Sequence, residues 1–172
     1  MREKFLWLAA VIAAHPENKV VGRTRLQKTI KLLQRLGAPM DYEYMIHFYG
    51  PYSEGVQSDI GLLEAFGFVE EKQSFNQDGS PYFVLHATED AKRLADRPEV
   101  KKFRDAIKTM SEADPVVLEL AATYDAFREV GHTHEAAMER LKRKKGDKCG
   151  QGRTEKALAL LKTLGLYDSA IS

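Results

Sequence analysis

The hydrophobic positions of this chain change rhythm several times, and each change predicts an element. Phe5 to Ala14 is a block of apolar residues bounded by Lys4 and His15-Pro16, which predicts a buried first helix ending near the proline. From Thr24 the period becomes helical, with Leu26, Ile30, Leu33 and Leu36 recurring on one side and Gly37 as the stop. Thr24 and Gln27 form a T-x-x-Q pattern, so a capping box is expected at the start of this helix. Residues 41–49 alternate instead, with Tyr42, Tyr44, Ile46 and Phe48 on one face and Glu43, Met45, His47 and Tyr49 on the other, which predicts a strand broken by Gly50-Pro51. Ser53 is placed to cap a third helix lined by Val56, Ile60 and Leu63.

Two strand-like runs follow, Phe68 to Phe75 and Tyr82 to His86, joined through Asn76-Gln77-Asp78-Gly79, a hairpin signal. Thr88, Asp114-Pro115 and Thr133 open further helical stretches, and a last helix is expected from Thr154 to Leu164. Lys145 to Gly152, with three glycines, reads as a mobile loop. The fold class expected is α+β, mostly helical. Residues 1–97 are expected to form a winged-helix-like unit, with 53–66 in the place of the recognition helix and 68–86 as the wing, and 98–172 an added helical part.

Composition narrows the classes. The 172 residues are 44% hydrophobic and 30% charged, a profile that excludes disorder and collagen and is long enough to bury a core without staples. The lone Cys149 makes no disulfide within the chain, and a reducing, cytoplasmic setting is expected. Met1-Arg2-Glu3-Lys4 before the apolar block imitates a signal peptide, but ten apolar residues are too few to span a bilayer and no Ala-x-Ala triplet follows. No membrane partner is expected.

The net charge of +1 hides a segregation: residues 1–37 carry 8 basic and 2 acidic groups, residues 38–90 carry 1 and 10, and residues 91–172 carry 17 and 13. The expected recognition helix holds Glu54, Asp59 and Glu64 with no Lys or Arg, so phosphates would repel it. Basic residues cluster elsewhere. Arg25, Lys28, Lys31 and Arg35 lie opposite the apolar stripe of the second helix, and Lys142 and Arg143 begin a run that continues through Lys145. The ordinary reading of both is a solvated helix face; the functional one is contact with DNA or an acidic partner.

Gly22-Arg23-Thr24-Arg25-Leu26-Gln27-Lys28, followed by His47-Phe48-Tyr49-Gly50-Pro51-Tyr52-Ser53-Glu54-Gly55-Val56, resembles the YwgA-like family of uncharacterised bacterial and archaeal proteins. A Leu-Gln-Lys helix before Tyr-Gly-Pro is also similar to the Panacea or SocA-like antitoxin domain. The likeness covers about residues 1–90. It implies a non-enzymatic module that binds a protein, a toxin or other regulated protein among the options. Tyr49 and Tyr52, beside Ser53 and Glu54, are then the candidate contact residues, since rings with a polar tip make good anchors. The alternative function is a winged-helix transcription regulator that contacts DNA through residues 25–35. A homodimer is compatible with either.

Catalytic chemistry finds little footing. Ser53 sits between a strand and a helix, but Pro51 stands where a nucleophile elbow needs glycine. His132, His134 and Cys149 lack the spacing of a zinc site. The glycine-rich stretch 146–154 fails the phosphate-loop pattern at Gln151. No catalytic residue, metal or cofactor is expected.

Overall fold

The apolar block of residues 5–14 becomes helix α1, Lys4–Ala14, buried along nearly its whole length. The computed structural model describes residue 1 and residues 3–168; Arg2 of the charged start lies outside them. A 3-10 turn at Pro16–Asn18 leads into strand β1, Lys19–Val21, and then helix α2, Arg23–Arg35. A small hairpin follows, β2, Met45–His47, and β3, Gly50–Tyr52. Helix α3, Glu54–Ala65, precedes the longer hairpin of β4, Val69–Phe75, and β5, Pro81–Ala87. The rest is helical: α4, Glu89–Ala95; α5, Pro98–Lys101; α6, Arg104–Glu112; α7, Pro115–Glu129; α8, His134–Lys145; and α9, Arg153–Thr163. Among the described residues, no helix is long and apolar enough to cross a membrane.

The fold is α+β and mostly helical, with an antiparallel sheet in the order β1-β5-β4 and a separate pair β2-β3. Strand β1 pairs Val20 with Leu85, and β4 pairs Lys72 with Val84. Without the β2-β3 pair between α2 and α3, the order is helix, strand, helix, helix, hairpin, with the first strand closing onto the hairpin, as in a winged-helix unit. The three-residue β1 carries no periodicity of its own and was not expected; it pairs with β5. The apolar core runs unbroken from α1 and α2 through Val100, Ile107 and Met110 to Leu118, Tyr124 and Leu161.

Three local expectations change. The capping box does not form, because α2 starts two residues early at Arg23, behind Gly22, with no side-chain cap. Residues 41–49 are not one strand: only Met45–His47 pair, and Gly50–Tyr52 is their partner rather than a break. Residues 146–149 form a 3-10 turn in which Lys148, with Lys145 just before it, holds the buried Glu119 carboxylate, so this part of the glycine-rich stretch is anchored rather than loose. The caps at Ser53, Asp114 and Thr133 form as expected, accepting hydrogen bonds from Val56, Val116 and Ala136 respectively.

Candidate functional site

The β2-β3 hairpin turns through Phe48 and Tyr49, the two residues between the paired His47 and Gly50. Gly50 has a φ of 89°, and a Cβ there would lie 2.6 Å from the Thr123 hydroxyl oxygen, so both the backbone conformation and the close approach to α7 require glycine.

Side chains from two helices grip this hairpin by its backbone. The Gln27 amide accepts from the Ser53 N–H and donates to the Ser53 carbonyl, each at 2.9 Å, as a strand neighbour would. About two turns further on the same side of α2, Gln34 does the same to Tyr42, accepting at 3.1 Å and donating at 3.2 Å. Lys28 Nζ donates to the Pro51 carbonyl at 2.7 Å, and Lys145 Nζ to the Phe48 carbonyl at 2.8 Å. These contacts explain why Leu-Gln-Lys and Tyr-Gly-Pro-Tyr-Ser occur together: Leu26 faces the core while Gln27 and Lys28 satisfy backbone groups of Ser53 and Pro51.

Beneath the hairpin lies a buried charge cluster. Glu119 on α7 accepts from Lys145 at 2.6 Å and from Lys148 at 3.0 Å. Lys148 also sits 4.9 Å above the Tyr49 ring. Burial pushes the Lys28 ammonium down to about 8, with Lys145 and Lys148 adding to the effect and Glu119 opposing it. Burial likewise lowers Lys145, against the pull of Glu119.

The expected basic face of residues 25–35 is therefore not an open solvent face, although Arg35 at its end remains exposed. Lys28 and Lys31 are buried, and all four basic groups have partners inside the chain. Arg25 donates to the Met110 and Ala113 carbonyls, Lys31 pairs with Glu129, and Arg35 with Asp125 at 2.9 Å. Lys142 and Arg143 do remain exposed, Arg143 beside Glu139. The sequence placed these cations on the polar side of α2 correctly, but α6 and α7 cover that side.

The four candidate contact residues separate. Tyr49 is 58% exposed at the turn and Glu54 is exposed in the first turn of α3. Tyr52 is half-buried, its ring 4.9 Å from that of His47, and Ser53 is buried, its hydroxyl spent on the α3 cap. Phe48 was expected to share a strand face with Tyr42, which is buried; the two-residue turn instead leaves Phe48 80% exposed, in edge contact with Tyr49, and Met45 of β2 is 56% exposed. No periodicity signals this, because a turn resets the alternation that the strand reading assumed.

Among the described residues, no three His, Cys, Asp or Glu side chains are grouped to hold a metal ion. His134 Nδ1 is in hydrogen-bond contact with the Tyr124 hydroxyl at 2.8 Å.

Over 117 residues the chain is 31% identical to the uncharacterised protein YwgA of Bacillus subtilis (strain 168), a stretch covering 62% of this chain and 64% of YwgA. That similarity supports the YwgA-like resemblance carried by the two motifs. The matched stretch is thus a little under two-thirds of that relative's length. No family model matches the chain.

Proposed function

We propose that this chain is a non-enzymatic, antitoxin-like regulatory module of the cytoplasm that binds a partner protein through the tip of the β2-β3 hairpin. The observation that carries the reading is Phe48, a large apolar side chain left 80% exposed on a turn that buried lysines and a glutamine hold rigid. A preorganised aromatic loses little freedom on binding, which is what makes such residues anchors. Met45 and Tyr49 widen the patch, and Glu54 shares a cavity of about 520 Å³ with Met45 and Tyr52. The acidic exposed side of α3 beside it suits a partner with a basic rim.

The test compares wild type with the Phe48→Ser, Tyr49→Ser double variant, first for stoichiometric capture of a partner from cells that carry the gene, then for binding to random-sequence duplex DNA across a salt series. The expected result is one partner retained by wild type and lost by the variant, with no DNA bound at low salt. Salt-steep DNA binding that the variant keeps overturns the reading and favours the transcription regulator.

A further inference from the structure

One cavity of about 370 Å³ opens between the start of α2 and the inner side of the hairpin, lined by Thr24, Lys28, His47, Tyr49, Tyr52 and Gln57 among others. Its walls differ from those of its neighbours. The cavity beside Tyr42 and Glu129 sets Lys31 against Glu43 and Glu129, and the one beside Met45 sets Lys4 against Asp41, Glu43 and Glu54. This third cavity is lined by Arg23, Lys28 and His47 and by no carboxylate, although residues 38–90 carry ten acidic groups and one basic. Arg23 already pairs with Glu71 at 2.7 Å, so the charge left uncompensated is that of Lys28.

Lys28 is 3% exposed. Its ammonium has three donors, and among the described residues it makes one hydrogen bond, to the Pro51 carbonyl, and no ion pair within 4.0 Å. The nearby Glu119 is engaged by Lys145 and Lys148, so Lys28 has no carboxylate of its own. Buried cations in excess of buried anions are unfavourable unless a counter-charge arrives. The lowered Lys28 pKa agrees with that deficit.

The other walls are flat. Tyr52 and His47 lie ring to ring at 4.9 Å, and the Tyr49 ring is held by Lys148. A space of this volume falls at the small end of the range for ligand sites and has room for one aromatic ring with an acidic head.

We propose that this cavity binds a small organic oxyanion, a carboxylate or phosphate on a flat apolar body, with its head on Lys28 and its body between Tyr49 and Tyr52. The site goes beyond the docking reading and does not rest on it: the titration below uses no partner, and its failure leaves partner capture by the hairpin tip where it stood.

The probes are benzoate and phenyl phosphate, with benzyl alcohol as the uncharged control, titrated into the full chain by calorimetry and followed by amide chemical shifts. Expected is saturable binding of at least one anion, with shifts at Thr24, Tyr49 and Gln57, and none for benzyl alcohol. Lys28→Met removes the charge while keeping the buried stem and should weaken the anion at least tenfold. Gln57→Trp fills the cavity without touching Lys28 and should weaken it similarly, which keeps the test decisive if Lys28→Met unfolds. Whichever anion binds tighter assigns the head group. Absence of saturation by both anions, binding of benzyl alcohol as tightly, or unchanged affinity in a folded variant overturns the proposal.

Discussion

Helices α2 and α8 look alike in composition and end in opposite surroundings. Each carries a stripe of Lys and Arg, and each begins as an amphipathic helix with a polar side. On α2 much of that side is covered by α6, α7 and the small hairpin, so Lys28 and Lys31 are buried, Arg25 is half-buried, and Arg35, exposed at the helix end, pairs with the buried Asp125. On α8, Lys142, Arg143 and Lys144 stay in water and only Lys145 turns inward. Helical period identifies the apolar side of a helix. Whether the other side is wet depends on what a distant segment brings to it.

The carboxylates that decide the difference are Glu119, Asp125 and Glu129, all on α7. Two of them, Glu119 and Asp125, are buried inside an otherwise apolar run. Burial raises the Asp125 carboxyl, with the Arg35 guanidinium holding it down in opposition. Carboxylates embedded in an apolar stretch are the one trace in the sequence of a buried ion cluster, since charges rarely enter a core without partners.

The comparison can be broken most forcefully at Glu119. Glu119→Ala leaves the Lys145 ammonium buried without its carboxylate and is expected to destabilise the fold by about 3–5 kcal/mol, measured by urea unfolding. Adding Lys145→Met should restore much of that loss, because the uncompensated charge is gone. Next comes Gln27→Ala, which strands the Ser53 N–H and carbonyl and is expected to cost about 2–3 kcal/mol. Gln34→Ala, at a less buried position, should cost less in the same assay.

A pH titration sharpens the same contrast from beneath α2. Burial pushes the His15 imidazole from its usual 6.5 down to about 4, partly offset by its contact with the Val11 carbonyl and reinforced by Arg25. The folded state therefore binds fewer protons than the unfolded one between those values, so stability is full above pH 6.5 and falls as pH drops toward 4. From about pH 8 to 5 the expected loss is about 2 kcal/mol. His15→Leu should flatten that segment of the profile. The smallest effect belongs to α8: Lys142→Ala and Lys144→Ala should each change stability by less than about 0.5 kcal/mol. A larger change at either would mean that α8 is covered in solution as α2 is.

Much of the framework was legible from local pattern. The apolar block, the 3.6-residue period of α2, the Asn76–Gly79 turn and the Ser53, Asp114 and Thr133 caps all depend on residues a few positions apart, and all appear where the sequence put them. The candidate site was legible only in part. Tyr49 and Glu54 are exposed as contact residues must be, whereas Ser53 is structural and Phe48 went unrecognised. Gln27 was assigned to a local cap, but its amide serves a backbone 26 residues away, because the helix starts at Arg23 behind a Gly22 cap and leaves it free.

By itself, then, the sequence determined the main helices and the longer hairpin and where the acidic and basic groups concentrate, while the pairing of Leu-Gln-Lys with Tyr-Gly-Pro-Tyr-Ser came from the family resemblance. Only the tertiary structure decided that these motifs meet, that Lys28 and Lys31 on the polar side of α2 are buried, and that an aromatic turn is held out on a buried ionic base. The reason is range: periodicity and capping act over a few residues, whereas the Lys145–Glu119 pair and the Lys145 bond to the Phe48 carbonyl join groups 26 and 97 residues apart.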